Sequence, residues 1–193
     1  MILLIGYWIA YFALHSLLAS LWMKARVSRR WPAFPYRLAY NILAVSLLIP
    51  GAWLLWGRSW PMLWEPWKPL SWTLQFLAAG AFLVSLRYYD MQAFLGLKPE
   101  TDENFTISPF HRYVRHPWYC LALVFIWSSS MNSGKLVTDI MATIYLFLGS
   151  YHEERMLIER FGERYSEYMK RVPGLIPLPW KYLSEDDAGT LVK

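Results

Sequence analysis

Long apolar runs, separated by short polar stretches, dominate the chain. Residues 2–23 are almost wholly apolar, and runs of similar length cover about residues 38–56 and 71–89. A helix rises about 1.5 Å per residue, so roughly 20 residues cross the roughly 30 Å of hydrocarbon in a bilayer. The pattern therefore predicts three membrane-spanning helices within residues 1–91.

Two shorter apolar runs follow at residues 118–131 and 136–151, joined by the turn-like residues 132–134. They predict a helical hairpin that crosses by tilting, by thinning the bilayer or by extending into the flanking polar residues, or that enters and leaves on one side. The predicted fold class is all-α: a polytopic membrane protein with about five transmembrane helices, a C-terminal hairpin and an amphipathic cytoplasmic tail. Residues 1–193 are expected to form a single membrane domain.

The pattern changes after the hairpin, where apolar positions recur every three or four residues. This spacing predicts an amphipathic helix. Gly162 is expected to interrupt it, and Pro173 and Pro177 to stop it. Residues 184–193 are polar and are predicted to be a frayed tail. The apolar positions are Leu157, Ile158, Phe161, Tyr165, Tyr168 and Met169.

Composition agrees with lipid as the surrounding medium, because 56% of the residues are hydrophobic and 17% are charged. The basic residues lie between the apolar runs instead of forming one stripe, which excludes a nucleic-acid surface and leaves membrane lipids as partners. With the N-terminus outside and five spans, 16 of the 19 basic residues face the cytoplasm, as the positive-inside tendency requires. The C-terminus is then cytoplasmic.

The first candidate site lies where a polar loop enters the fourth apolar run. Proline is tolerated in a first helical turn, so Pro117 predicts that Arg115 and His116 stand at a helix entrance. Free backbone donors and two cationic side chains there suit a carboxylate. The alternative is that Arg115 anchors the helix to anionic headgroups.

The second candidate site is Glu153-Glu154, at the predicted far end of the hairpin. Because the two hairpin helices are antiparallel, these acids are expected to approach Arg115 and His116. Together the groups suit an amphoteric ligand such as S-adenosylmethionine, although a structural ion pair is an equal alternative. No Gly-rich dinucleotide motif follows a strand, the single Cys120 forms no internal disulfide, and no metal site is predicted.

Four motifs give a more specific resemblance: Arg115-His116-Pro117-x-Tyr119, Glu153-Glu154-x-x-Leu157, Phe161-Gly162-x-x-Tyr165-x-x-Tyr168 and Val172-Pro173-x-x-Ile176-Pro177. In order and spacing they resemble the isoprenylcysteine carboxyl methyltransferase superfamily over residues 105–179. Phe125-Ile126-Trp127 and Phe12-Ala13-Leu14-His15-Ser16 resemble its bacterial methanethiol S-methyltransferase and NnrU-like branch.

The resemblance implies an S-adenosylmethionine-dependent membrane methyltransferase, placed in a bacterial inner membrane, whose acceptor is a small or lipophilic thiol or a prenylcysteine-like carboxylate. Arg115 and Glu154 would be catalytic, and Tyr165 and Tyr168 would contact substrate. Both tyrosines could instead pack the amphipathic tail on the hairpin. The expected cofactor-binding residues are Arg115, His116, Tyr119, Glu153 and Glu154.

Two other functions stay open. One is an NADPH-dependent membrane reductase of the sterol and steroid type, whose C-terminal region is similar but commonly has Asn where this chain has Trp118. The other is a non-catalytic membrane protein, because the NnrU-like branch is poorly understood.

Overall fold

Residues 1–98 and 105–192 are described by the computed structural model, and within them helices dominate. The helices are α1 (Ile2–Ala19), α2 (Leu21–Arg30), α3 (Tyr36–Ser46), α4 (Leu48–Trp56), α5 (Lys68–Ser85), α6 (Met91–Leu95), α7 (Pro117–Trp127), α8 (Ser133–Phe161), α9 (Glu163–Arg171) and α10 (Glu185–Val192). Two short strands, β1 (Met62–Trp64) and β2 (Met131–Asn132), pair antiparallel.

Among the described residues, three helical segments are long and apolar enough to cross a membrane. They are α1, the combined α3 and α4 (Tyr36–Trp56), and α5 with the 3₁₀ turn that continues it to Tyr88. They correspond to the three predicted N-terminal spans. The fourth predicted run forms only the 11-residue helix α7, so a total of about five spans stays a prediction.

The first apolar run was expected to be one helix over residues 2–23, but it is divided at Ser20. The backbone of Ser20 is extended, with ψ of 143°, and its Oγ accepts a hydrogen bond of 3.2 Å from the N–H of Met23. Serine is favoured as such a cap because its hydroxyl satisfies a donor that has no helical partner. The spanning helix therefore ends at Ala19, and a separate basic helix, α2, follows it.

The chain forms two compact units. The first contains α1–α4, α6, both strands and the first turns of α8. Its helices are joined by hydrogen bonds from Tyr36 Oη to the carbonyl of Leu18, at 2.6 Å, and between Tyr40 Oη and His15 Nε2, at 2.8 Å. Gly51 allows close packing of α4, because a Cβ there would lie 2.8 Å from the ring of Tyr7.

The second unit contains α5, α7, the rest of α8, α9 and α10. Here α5 and α7 pack together through Trp118, whose Nε1–H donates to the fully buried Oγ of Ser85 at 2.7 Å. The same indole ring meets Phe82 edge-on, with the ring centroids 5.3 Å apart. A buried hydroxyl in apolar surroundings needs such a partner, so this contact fixes the start of α7.

Helix α8 differs from the predicted hairpin arm. The expected turn at residues 132–134 is replaced by β2 and by a helix that already begins at Ser133, and the helix continues unbroken through Glu153 and Glu154 to Phe161. The two acids therefore lie inside a helix and not at its end. Glutamate is a good helix former, and partners described below compensate both charges. The break comes at Gly162, whose φ of 61° favours glycine.

The C-terminal residues also differ from the predicted frayed tail. Residues 185–192 form α10, and Ala188 is buried in a cluster that we call the tail core. Ser184 begins the helix: its Oγ accepts from the N–H of Asp187 at 3.1 Å, and its hydroxyl donates to the carboxylate of Asp187 at 2.7 Å. The buried members of the tail core are Phe105, Tyr165, Tyr168, Val172, Leu183 and Ala188.

Candidate functional site

The entrance of α7 lies where the sequence predicts it, with Pro117 as the first helical residue and His116 before it. The backbone N–H groups at this entrance were expected to be free, but they donate to carbonyl groups of the chain. The N–H of Arg115 donates to the carbonyl of Pro173 at 2.9 Å, and that of His116 donates to the carbonyl of Gly174 at 3.1 Å. These groups therefore hold the segment after α9 and are not free for an anion, which corrects the expectation of free donors.

The side chain of Arg115 joins α8 to the same segment. Its Nε and Nη2 lie 2.8 Å and 2.7 Å from Oε1 of Glu154, while Nη1 donates to the carbonyls of Met169, at 3.1 Å, and Val172. Both Arg115 and Glu154 are largely buried, each with 12% of the side chain exposed. A charge-assisted contact at this depth is stronger than one in water. Arg115, at the entrance of α7, thus connects this entrance with α8 and with the end of α9.

His116 lies between the two adjacent acids of α8. Its Nε2 is 3.0 Å from Oε1 of Glu154, and its Nδ1 is 3.4 Å from Oε2 of Glu153. A neutral imidazole has one donor and one acceptor, whereas the imidazolium has two donors. The arrangement therefore favours the protonated ring, which gives a compact group of two cations and two carboxylates with Arg115.

The environment shifts the pKa values in opposite directions. Burial lowers the pKa of His116, but the hydrogen bonds and charges of Glu153 and Glu154 outweigh it and raise that pKa above its ordinary 6.5. Burial raises the pKa of Glu154, yet the hydrogen bonds from His116 and Arg115 outweigh it and hold that pKa below its usual value. Both shifts favour the charged forms.

Tyr119 completes this group one turn into α7. Its ring stacks on His116, with centroids 5.4 Å apart and an interplanar angle of 8°, and its hydroxyl donates to Oε2 of Glu153 at 3.4 Å. The side chain of Glu153 is 45% exposed, so it is much more accessible than that of Glu154. The five predicted cofactor-binding residues therefore lie together, although Tyr119, His116 and Glu153 do not line the pocket described next.

A pocket of about 470 Å³ opens beside the Arg115–Glu154 pair. Its volume is within the usual range of small-molecule sites, and most of its lining is apolar. Oε1 of Glu154 takes all the contacts from Arg115 and His116, and no described residue donates a hydrogen bond to Oε2. The remaining lining residues are Phe147, Ser150, Tyr151, Gly174, Leu175, Ile176 and Leu178.

Gly174 is a site residue that motif reasoning missed. A Cβ at this position would lie 3.3 Å from Nη2 of Arg115 and 3.8 Å from Oε1 of Glu154. The absent side chain lets the backbone come close enough for the hydrogen bond from His116. The motif gave no signal for it, because Gly174 is one of the unassigned positions in Val172-Pro173-x-x-Ile176-Pro177.

The two tyrosines predicted to contact substrate lie in the tail core instead of lining this pocket. Tyr168 is almost fully buried, and its hydroxyl donates to the carbonyl of His111 at 2.6 Å. Tyr165 is also buried, and burial together with the charge of Glu154 raises the pKa of its phenol. This placement corresponds to the packing alternative; a contact with substrate stays a prediction.

His111 is a neighbouring histidine with the opposite behaviour. Its Nδ1 lies 2.7 Å from Oγ of Ser108. Burial, together with the positive charge of His116, lowers the pKa of His111 to about 4. The two neighbouring imidazoles are therefore shifted in opposite directions: the pKa of His111 is lowered, and that of His116 is raised.

This geometry, an Arg-His helix entrance joined to a Glu-Glu pair on an antiparallel helix, occurs in a chain whose relatives are named methyltransferases. The chain is 32% identical to a methanethiol S-methyltransferase of Pseudomonas deceptionensis over 74% of its own length, and 31% identical to methanethiol S-methyltransferase 1 of Bradyrhizobium diazoefficiens over 86%. It is 29% identical over 54% of its length to a protein-S-isoprenylcysteine O-methyltransferase of Schizosaccharomyces pombe. These relationships confirm the predicted resemblance to the isoprenylcysteine carboxyl methyltransferase superfamily.

The match covers 60% of the Pseudomonas protein, 64% of the Bradyrhizobium protein and 48% of the yeast protein. The chain thus spans less than two thirds of the length of each. No protein-family model and no solved structure matches it significantly.

Proposed function

We propose that this protein transfers the methyl group of S-adenosylmethionine to a small thiol or another lipophilic acceptor at the membrane. The observation that carries the proposal is the pocket beside Arg115 and Glu154, because it lies within the residues that resemble the superfamily. The names of the relatives support methyl transfer, and methanethiol in those names supports a small thiol as the first acceptor to test.

The residues present fit the proposed donor. S-adenosylmethionine carries a carboxylate, an ammonium, ribose hydroxyls and a sulfonium. The open Oε2 of Glu154 can accept from an ammonium or a hydroxyl, while the charged Arg115 compensates a carboxylate nearby. The apolar wall from Phe147, Leu175 and Ile176 can cover the less polar parts of donor and acceptor.

The bound donor supplies an already activated methyl group, so no covalent nucleophile from the protein is needed. The acceptor sulfur forms a bond to that methyl carbon as the donor's sulfonium–methyl bond breaks, which yields a methyl thioether, S-adenosylhomocysteine and the proton of the thiol. The residues of the chain position the two reactants and exclude water. Arg115 and Glu154 supply the fixed charges beside the reacting atoms.

We also propose the membrane arrangement predicted from the sequence, with five spans, the N-terminus outside and the C-terminal tail in the cytoplasm of a bacterium. The distribution of lysine and arginine supports it. In this arrangement α7 and the first half of α8 are the fourth and fifth spans, and the pocket lies at the cytoplasmic surface, where S-adenosylmethionine is available.

The first experiment is calorimetric binding of S-adenosylmethionine and S-adenosylhomocysteine to the detergent-purified chain. We expect saturable binding by the wild type and its loss in Glu154→Gln and Arg115→Ala. Gly174→Ala keeps every charge but adds a methyl group beside Arg115, so it should weaken binding, whereas Gly189→Ala, which meets open space, should bind like the wild type. A folded wild type that binds neither compound at millimolar concentration would refute the proposal.

The acceptor is tested separately by mixing protein, S-adenosylmethionine and methanethiol and detecting dimethyl sulfide by gas chromatography. A prenylated cysteine analogue serves as the second acceptor. If only the analogue is methylated, the acceptor group is a carboxylate and not a thiol. NADPH is included in the binding series, because its binding in place of the methyl donor would support the reductase alternative.

A further inference from the structure

The segment 176–182, which we call the tail turn, exposes apolar side chains between two buried ends. Leu175 and Leu183 are buried on either side of it. Between them, 62% of Ile176 and 79% of Trp180 are exposed to the surroundings, and Tyr182 is exposed as well. Three large exposed apolar or aromatic side chains in one short turn are typical of a surface that contacts protein or membrane.

The tail turn is held firmly at its base. The N–H of Lys181 donates to the carbonyl of Leu178 at 2.9 Å, which closes the turn around Trp180. Arg112 and Leu183 exchange two hydrogen bonds of 3.0 Å, one from the N–H of Leu183 and one from Nε of Arg112. These hydrogen bonds hold the backbone of the tail turn in a defined conformation, with Trp180 exposed at its tip.

An apolar helix face continues the surface of the tail turn. Ile176 and Leu178 line the pocket on one side, and Phe147 and Tyr151 of α8 line it on another. Residues 144, 148 and 151 of α8 lie on one face at helical spacing, and all three are exposed apolar or aromatic side chains. The rim of the pocket thus connects the tail turn with this exposed apolar face of α8.

The charges near the tail turn indicate which layer of a membrane it contacts, the charged phosphates or the apolar layer below them. Lys181 is its only charged residue, and the exposed acids Glu185, Asp186 and Asp187 follow directly. Acids at this position repel anionic headgroups. Contact through tryptophan, tyrosine and isoleucine at the depth of the headgroups and the first carbons of the acyl chains is therefore favoured over contact with lipid phosphates.

We infer that the tail turn inserts into the interfacial layer of the bilayer and holds the mouth of the pocket at the membrane surface. The inserted residues are Ile176, Trp180 and Tyr182, and the partner is lipid. This docking does not depend on methyl transfer. Only its consequence, that a lipophilic acceptor reaches the pocket without leaving the membrane, rests on the proposed function.

Spin labels test the insertion. Cys120 is replaced by serine, and a nitroxide is attached in turn to Trp180→Cys, Glu185→Cys and Leu77→Cys in full-length chains, each reconstituted as one molecule per lipid nanodisc. Glu185 is 91% exposed and is the matched aqueous control, and Leu77 is an exposed position on the spanning helix α5. Ile176→Cys serves as a second reporter if the label at 180 disturbs folding.

The readout is the collision rate of each nitroxide with oxygen, which concentrates in lipid, relative to a water-soluble nickel chelate. Insertion predicts a ratio at 180 that is several-fold above the ratio at 185 and closer to that at 77. Equal ratios at 180 and 185 would place the turn in water and overturn the inference. Low collision with both agents would indicate burial against protein and would equally overturn it.

Discussion

Arg115 meets Glu154 through two nitrogens and one oxygen: Nε and Nη2 both contact Oε1, at 2.8 Å and 2.7 Å. A fork-to-fork pair would use both carboxylate oxygens. Here the second oxygen stays open, while His116 adds a third donor to Oε1. The same carboxylate therefore supports the fold with one oxygen, and in the proposed function its other oxygen contacts the ligand.

We expect Glu154→Gln to destabilise the protein much more than Glu153→Gln. The amide removes the negative charge that compensates Arg115 and His116 in a largely buried place, whereas Glu153 is half-exposed. Breaking a buried ion pair by removing one partner costs a few kcal/mol, so we expect a loss of about 2–4 kcal/mol for Glu154→Gln. Thermal unfolding in detergent measures it, and equal losses for both variants would contradict this ranking.

His116 predicts a loss of stability at alkaline pH. Its pKa is raised in the folded state, so its contribution is fully present below the ordinary value of 6.5 and is lost as the pH rises through the folded pKa. Melting temperatures between pH 6 and 9 should decline for the wild type. His116→Gln should show a flatter profile, and a profile as steep as that of the wild type would assign the decline to other groups.

His111 predicts the opposite trend on the acid side. Its pKa is lowered to about 4, so the folded state keeps it neutral while the unfolded state binds a proton below pH 6.5. Stability should therefore decrease as the pH falls from 6.5 towards 4. We expect His111→Gln to reduce this acid slope between pH 6.5 and 5 without changing the alkaline decline. His116→Gln should keep only part of this acid slope, because His111 stays buried while the charge of His116, which also lowers the pKa of His111, is removed.

Gly162→Ala should destabilise the junction between α8 and α9. Gly162 has φ of 61° and ψ of −129°, a conformation that costs an L-residue about 1–3 kcal/mol, and no atom within 4 Å would meet the added methyl group. The loss would therefore come from the backbone alone. Gly189→Ala in α10 is the control, and it should be neutral or stabilising by up to about 1 kcal/mol.

Tyr168→Phe separates packing from substrate contact. The hydroxyl of Tyr168 donates to a carbonyl inside the tail core, so its removal should cost about 1–2 kcal/mol of stability. We expect KM for the acceptor to stay unchanged in steady-state assays. A raised KM with unchanged thermal stability would instead restore the predicted role in binding substrate.

Apolar run length predicted the three N-terminal spans well, because a bilayer selects for length and hydrophobicity and not for detailed packing. The ends of helices were less predictable. Ser20 ends α1 inside an apolar run, because a local side-chain hydrogen bond competes with the helix. Ser184 and Asp187 form a capping pair that was visible in the sequence but was interpreted as part of a polar tail.

The approach of Arg115 to Glu154 follows from antiparallel helices, so the sequence could suggest it. Which donors remain free could not be read from the sequence. The backbone N–H groups of Arg115 and His116 are occupied by the carbonyls of Pro173 and Gly174, and that depends on how the chain returns after α9. The role of Gly174 likewise depends on a tertiary distance and not on any local pattern.

Helix α8 runs without a break from Ser133 to the acidic pair, and its length can be compared with the thickness of a bilayer. From Ser133 to Glu154 it rises about 32 Å at 1.5 Å per residue, close to the thickness of a hydrocarbon layer. The helix is continuous over these residues. In the proposed membrane arrangement, lipids with longer or shorter chains would tilt the helix or move the pocket through the interface, so bilayer thickness would govern access to the site.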